Sequence, residues 1–421
     1  MTSGSHPPGT AWLSSFVAWL TPRRIRAQAV ILALCLWGVC AVDFATPGVF
    51  DRAGNIKFQD FLPLYTAAKM IANGRAHEIY DEQVVAGSEA EIVGGQTAAQ
   101  LPFLYGPQMA LLVVPLAGFP FLLAASAWAA LNAFIYGACV YLILKTCSRL
   151  VAYSKNVAIA AAAFPPFFHF FVRGQTSALV LACFTAALLA FRAERGWVAG
   201  MALGLLVFKP QFLVAVPLIL LLARGWKALL GMLISIAAQL AFAWIYFGSG
   251  VMGAYFDVFW HASRWMPTAE LSLAPIQMHS LRSFWTLLIP WQHVALALYI
   301  GSSIVAIATA AVVWRSTCPL ALRFAVLALA AILVNPHLFV YDLLVLVPVL
   351  LLVVDWALSE MHGPYSLSLL ILSYLAFVLP LLGPLSRWTH VQFTVPVFVA
   401  LLSILYLQCR RSSLSIFASQ S

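Results

Sequence analysis

Charge is what this sequence has least of. Of its 421 residues only 9% are Asp, Glu, Lys or Arg, while 63% are hydrophobic and the mean hydropathy is +0.94. A soluble protein of this length could not cover its surface with so few charges. The sequence therefore predicts an all-α polytopic membrane protein, a single integral membrane domain over 1–421. Acids are scarcest, 14 against 23 Lys and Arg, for a net charge of +9. That excess does not point to nucleic acid, because the basic side chains stand in short stretches between apolar runs, where they set topology. The seven cysteines include no CxxC pair, and most lie in apolar runs, so no disulfide framework is expected. HExxH, a DxD pair and a P-loop are all missing, and neither a metal site nor a cofactor is expected.

What is present is a long series of apolar runs: 28–44, 120–145, 155–172, 175–192, 196–208, 211–223, 228–247, 292–314, 320–335, 341–357, 364–383 and 391–409. The first follows Arg23-Arg24-Ile25-Arg26 and reads as an uncleaved signal anchor. The run 103–118 is read as re-entrant or interfacial, with Gly118-Phe119-Pro120 turning into the next span. Twelve spans with both termini inside follow. The inner side then carries fourteen Lys and Arg against three acids, and the outer side nine against eleven, as the positive-inside rule requires. Two long outer loops result, 45–102 and 248–291. The expected location is the plasma (inner) membrane, with the working face extracytoplasmic and the termini cytoplasmic.

The residues able to do chemistry fall on that outer side. Asp60 opens a stretch in which Phe61, Leu64, Tyr65 and Ala68 share a helical face expected to lie along the membrane. Asp60 is placed to act as a general base, or else is a helix-start acid favoured by the dipole. Tyr105-Gly106-Pro107 is a substrate-contact candidate or an interfacial aromatic turn. Arg173, followed by Gln175, could grip a phosphate or snorkel. Lys209-Pro210-Gln211 interrupts apolar sequence, so Lys209 should face protein, a polar cavity or, in a short loop, water. His337 and Asp342 flank Tyr341 between two apolar runs, where His337 could bind phosphate or orient a carboxylate. The second outer loop adds Arg264, His279 and Arg282 among Trp260, Trp265, Trp285 and Trp291, which suit an interface or a sugar surface.

Taken in order, Asp60, Tyr65-Thr66-Ala67-Ala68, Gly74, Ile79-Tyr80-Asp81, Tyr105-Gly106-Pro107, Gly174-Gln175, Lys209-Pro210-Gln211, Asn335-Pro336-His337 and Tyr341-Asp342 resemble glycosyltransferase family 87, of the GT-C type, over roughly residues 30–360. Two features depart from the family pattern. Gly106 stands where the family often has Pro, and no motif follows residue 360. The resemblance implies a GT-C-like bundle of about twelve helices. It also implies inverting transfer of a sugar, most often mannose, from a polyprenyl monophosphate sugar to a lipid or glycan acceptor, with Asp60 as base and His337 as its partner. Tyr65, Tyr105, Arg173, Gln175, Lys209, Gln211, His279, Arg282 and Asp342 are the expected substrate contacts. A single lipid-linked phosphate can be held by Lys, Arg and His without a metal. A transporter or flippase of a polar or lipid-linked solute is the alternative, and a non-catalytic assembly partner a third. Long Trp-rich outer loops and the lack of visible repeats weigh against transport.

Overall fold

A computed structural model describes residues 21–95, 102–261, 274–361 and 363–420, with side chains to 411. Arg264 and Trp265 lie outside the described residues. The chain is helical, with no strand among the described residues and only two isolated β-bridges. Helix α1 (Pro22–Phe44) starts where its chemistry says it should: the Thr21 hydroxyl accepts from the Arg24 amide at 3.3 Å and Pro22 occupies the first turn. Then come α2 (Leu62–Ala72), α3 (Glu82–Val93), α4 (Phe121–Leu144), α5 (Ser154–Ala162) and α6 (Pro165–Arg173). Helices α7 (Ser177–Arg192), α8 (Gly196–Gly204), α9 (Val216–Leu222), α10 (Trp226–Trp260), α11 (Leu281–Leu288) and α12 (Gln292–Arg315) follow. The last four are α13 (Leu320–Val334), α14 (Leu346–Ser359), α15 (Ser366–Val378) and α16 (Thr394–Gln420).

All twelve predicted runs fall on apolar helical segments, but they are not twelve equal spans. Seven are long and apolar enough to cross a membrane, eight if the pair Leu150–Ala162 and Pro165–Arg173, bent by 49°, counts as one. The other four are Ser177–Arg192, Gly196–Phe208, Pro210–Leu222 and Leu320–Val334, with 10–17 residues each. At 1.5 Å per residue these reach only about 20–24 Å, against a hydrocarbon core of about 30 Å. Each of the four has one end at the same place, at Ser177, Phe208, Pro210 and Val334. Residues 103–118 hold no span, only two short pieces, Pro107–Leu111 and Val114–Leu116.

Two expectations need correction. The face made by Phe61, Leu64, Tyr65 and Ala68 does not lie along the membrane: all four residues are buried in the chain's own core. An apolar stripe looks the same whether lipid or protein covers it. Gly248 takes φ 80°, ψ 171° and breaks α10 where the apolar run 228–247 ends, and a second helical stretch runs on to Trp260. Cys318 and Cys409 form a disulfide, with their Cα atoms 5.2 Å apart. They are 91 residues apart in sequence, and only the packing of α13 against α16 makes them neighbours.

Close helix packing relies on missing side chains in one place. A Cβ on Gly200 would fall 1.9 Å from the Ala228 carbonyl oxygen, so α8 and α10 touch backbone to backbone there. Gly248-Ser249-Gly250-Val251-Met252-Gly253 has the spacing of a dinucleotide fingerprint. It lies inside α10 with no strand before it, so it lacks the context that motif needs.

Candidate active site

The approach to Asp60 begins with strained backbone. Phe58 takes φ 56° and turns the chain into a 3-10 turn, Gln59–Phe61, that leads into α2. Phe61, not Asp60, caps α2, and the Asp60 carboxylate reaches across the fold instead of back to its own helix. It accepts from Gln175 Nε2 at 2.7 Å and lies 3.5 Å from Arg173 Nη1. These partners come from the break between α6 and α7. Gly174 makes that break with φ 70°, and a Cβ there would sit 3.0 Å from Phe61 Cβ and 3.1 Å from Phe58 Cβ. Gly174 thus serves twice: its conformation suits glycine, and its lack of a side chain lets the two turns meet. Trp128 fixes the arrangement by donating to the Gly174 carbonyl at 3.2 Å while its ring stacks on Phe61.

Behind Asp60 lies a second, sealed layer. Lys209 stands between Phe208 and Pro210, where the short helices break, and its Nζ is 2.6 Å from Asp342 Oδ1. It also donates to Ser177 Oγ at 3.2 Å and Gln175 Oε1 at 3.4 Å, and lies over the Tyr341 ring. Ser177 donates to the same Asp342 oxygen at 2.7 Å. Gln175 therefore joins the layers, its amide nitrogen on Asp60 and its amide oxygen toward Lys209. Exposure separates their duties. The side chains of Lys209 and Asp342 are 5% and 2% exposed, those of Asp60 and Arg173 12% and 40%. An isolated Lys or Asp at that depth would be prohibitive, and the pair neutralises itself.

Tyr105 closes one side. Its hydroxyl sits 3.3 Å from Gln175 Oε1 and 3.2 Å from Thr176 Oγ1, and its carbonyl accepts from Tyr80 at 2.6 Å. Burial raises the Tyr105 phenol above its ordinary value, with Lys209 pulling the other way, so it remains a neutral donor. Asp81 has a different task. It caps α3, accepting from the amides of Gln83 and Val84.

The remaining candidates are spread around this centre. His337 follows Asn335, whose side-chain oxygen accepts the His337 amide at 2.9 Å, and its ring meets Phe339 edge-on. Its electrostatic neighbours are Asp342, Arg282 and Lys209, not Asp60. Burial lowers the His337 imidazole from its ordinary value, so the ring is neutral at pH 7. Arg282 donates to the Pro336 carbonyl at 3.2 Å and braces that loop. His279 is buried against the Thr394 hydroxyl at 2.9 Å, away from Asp60. Tyr65 donates to the Phe119 carbonyl at 2.7 Å, tying α2 to the turn before α4. Gln211 is half-buried in the 3-10 turn Pro210–Leu213. Ser177, Thr176 and Tyr341 complete the cluster. Tyr341 belongs to the motif series read in the sequence but not to the expected contacts, and Thr176 and Ser177 follow Gln175 directly in the same break, which is the signal for them. Among the described residues, no group of three or more His, Cys, Asp or Glu is placed to hold a metal ion.

The arrangement can take a proton at Asp60, present a cation at Arg173, and hold both on a neutral buried base. Compared with known families, residues 103–336 match the model of glycosyltransferase family 87. No curated protein and no solved structure matches the chain.

Proposed function

Since this multi-pass membrane protein belongs to glycosyltransferase family 87, we propose that it transfers a sugar, mannose in the first instance, from a polyprenyl monophosphate to a lipid or glycan acceptor. The observation that carries this reading is the Asp60 carboxylate, held by Gln175 and partly open beside Arg173. An acceptor hydroxyl approaching Asp60 gives up its proton to the carboxylate as its oxygen bonds to the anomeric carbon. The bond from that carbon to the phosphate oxygen breaks, and the electron pair leaves with the polyprenyl phosphate. Displacement from the opposite face inverts the anomeric centre. A phosphate leaving group needs no strong acid, only a cation to meet its growing charge.

Arg173 is the cation for that task, because its side chain reaches the opening and its guanidinium suits a phosphate. Lys209 is assigned a positioning role, since its charge is met by Asp342. His337, neutral at pH 7, offers a hydrogen bond to phosphate or sugar and not a charge. The end of the bundle bearing Asp60 is assigned to the extracytoplasmic side of the plasma membrane, because the Lys and Arg clusters, from Arg23 to Arg411, gather at the other end.

The test uses purified protein in nanodiscs with radiolabelled polyprenyl phosphate mannose and a membrane lipid extract. Labelled product from wild type, with none from Asp60→Asn, supports the reading. Equal product from both removes Asp60 as the base. Label carried across a sealed vesicle without sugar transfer favours transport.

A further inference from the structure

A sizeable cavity lies away from Asp60, toward the end of the bundle rich in Lys and Arg. It encloses about 700 Å³ between α1 and α5 on one side and α14 and α15 on the other. Its lining runs from Thr21 at the mouth to Leu32 on α1, and is almost entirely apolar, with Val157, Phe164, Leu351 and Phe377 among its walls. The hydrogen bond from the Tyr374 hydroxyl to Gln28 crosses it at 3.0 Å.

Two features say what fits. The first is depth: Thr21 to Leu32 spans about 16 Å of helix, half of a hydrocarbon core of about 30 Å, which is the reach of one leaflet. The second is charge. The chain beside the lining residues Thr21, Pro22, Leu150, Tyr153 and Asn156 carries Arg23, Arg24, Arg26, Arg149 and Lys155, all of them exposed. The acids beside the lining are Asp355 and Glu360. Asp355 is engaged by the amides of Ser148, Arg149 and Leu150 at 2.7–3.0 Å. A cationic rim over an apolar shaft one leaflet deep is complementary to an anionic head on an acyl chain. Helix α1 is the outer wall and is itself only 11% buried over its apolar window, so its far face is left for lipid to cover.

We propose that this cavity binds an anionic phospholipid of the leaflet on the basic side, one acyl chain inside and the headgroup on Arg23, Arg26 and Lys155. This goes beyond the transfer reaction and does not depend on Asp60.

The experiment is native mass spectrometry of delipidated full-length protein titrated with dioleoyl phosphatidylglycerol or dioleoyl phosphatidylcholine. Phosphatidylglycerol should bind at least tenfold more tightly. Arg23→Gln, Arg26→Gln and Lys155→Gln should each weaken it roughly fivefold. Ala160→Trp, which fills the shaft, should remove the bound lipid of either kind, with a melting profile confirming that the variant folds. Equal binding of both lipids overturns the anionic assignment, and binding indifferent to Ala160→Trp overturns the cavity. Displacement of phosphatidylglycerol by an equal concentration of polyprenyl monophosphate also overturns it, in favour of a site for the sugar donor's tail.

Discussion

Gln175 gives its amide nitrogen to Asp60 at 2.7 Å and so sets the direction of a carboxylate that is partly exposed beside the Arg173 guanidinium. If Asp60 is the base, Asp60→Asn should lower kcat/KM by about 10²–10⁴-fold with little change in melting temperature. Asp60→Glu should recover part of the rate. Initial rates on a labelled lipid-linked sugar decide it, and a variant as active as wild type would refute the assignment.

Gln175 itself should act through orientation. Gln175→Ala leaves the Lys209–Asp342 pair intact but frees the Asp60 carboxylate to turn. The expected loss falls mainly in kcat, about 10–100-fold, because a small misplacement of a reacting group is costly. A loss confined to KM would assign Gln175 to substrate binding instead.

The Lys209–Asp342 pair should reveal itself in stability. Lys209→Met alone strands a buried carboxylate and should cost about 3–5 kcal/mol. The double variant Lys209→Met, Asp342→Leu should regain most of that. Thermal unfolding of the single and double variants in detergent measures the coupling. Additive losses would mean that the two charges do not depend on each other.

His279 predicts a pH dependence. Burial pushes its imidazole down to about 3, against about 6.5 for an unpacked histidine. Below pH 6.5 the unpacked form takes up a proton that the packed form refuses. The contribution is therefore complete above pH 6.5 and shrinks as pH falls toward 3, by about 2 kcal/mol at pH 5. Melting temperatures from pH 7.5 to 5.0 should fall less steeply for His279→Gln than for wild type. Parallel slopes would show that the ring is not sealed against Thr394.

Cys318 and Cys409 report on sidedness. They lie among Arg315, Arg323, Arg410 and Arg411, at the end assigned to the cytoplasm, where thiols are kept reduced. Maleimide labelling of rapidly quenched cells should then find both as thiols, and the pairing seen in the structure should form when the purified protein is oxidised. A disulfide already complete in cells would turn the topology over.

Much of this molecule was legible in its sequence because a bilayer leaves few choices. Apolar runs become helices, and their order placed Asp60, Gln175, Lys209 and Asp342 on one side before any contact was known. What pattern could not express was pairing. Lys209 and Asp342 are 133 residues apart, and nothing local says that the lysine's charge is spent on that acid and not kept for phosphate. The same ignorance hid the joining of Cys318 to Cys409 and made the Phe61–Ala68 face look like a membrane surface. Asp60 could equally be read as a helix-start acid, and only the geometry shows that Phe61 stands at the start of α2 while Asp81 caps α3.

The four short helices with ends at Ser177, Phe208, Pro210 and Val334 are shorter than a hydrocarbon core, so if their far ends stand level with one set of headgroups, the floor of the site lies beneath the other. A reactant arriving from bulk water must leave that medium to get there. One already tethered in the bilayer searches for the opening in two dimensions, at a local concentration fixed by the membrane area and not by the volume of the compartment. For such an enzyme the amount of membrane, as much as the amount of substrate, sets how often donor and acceptor meet.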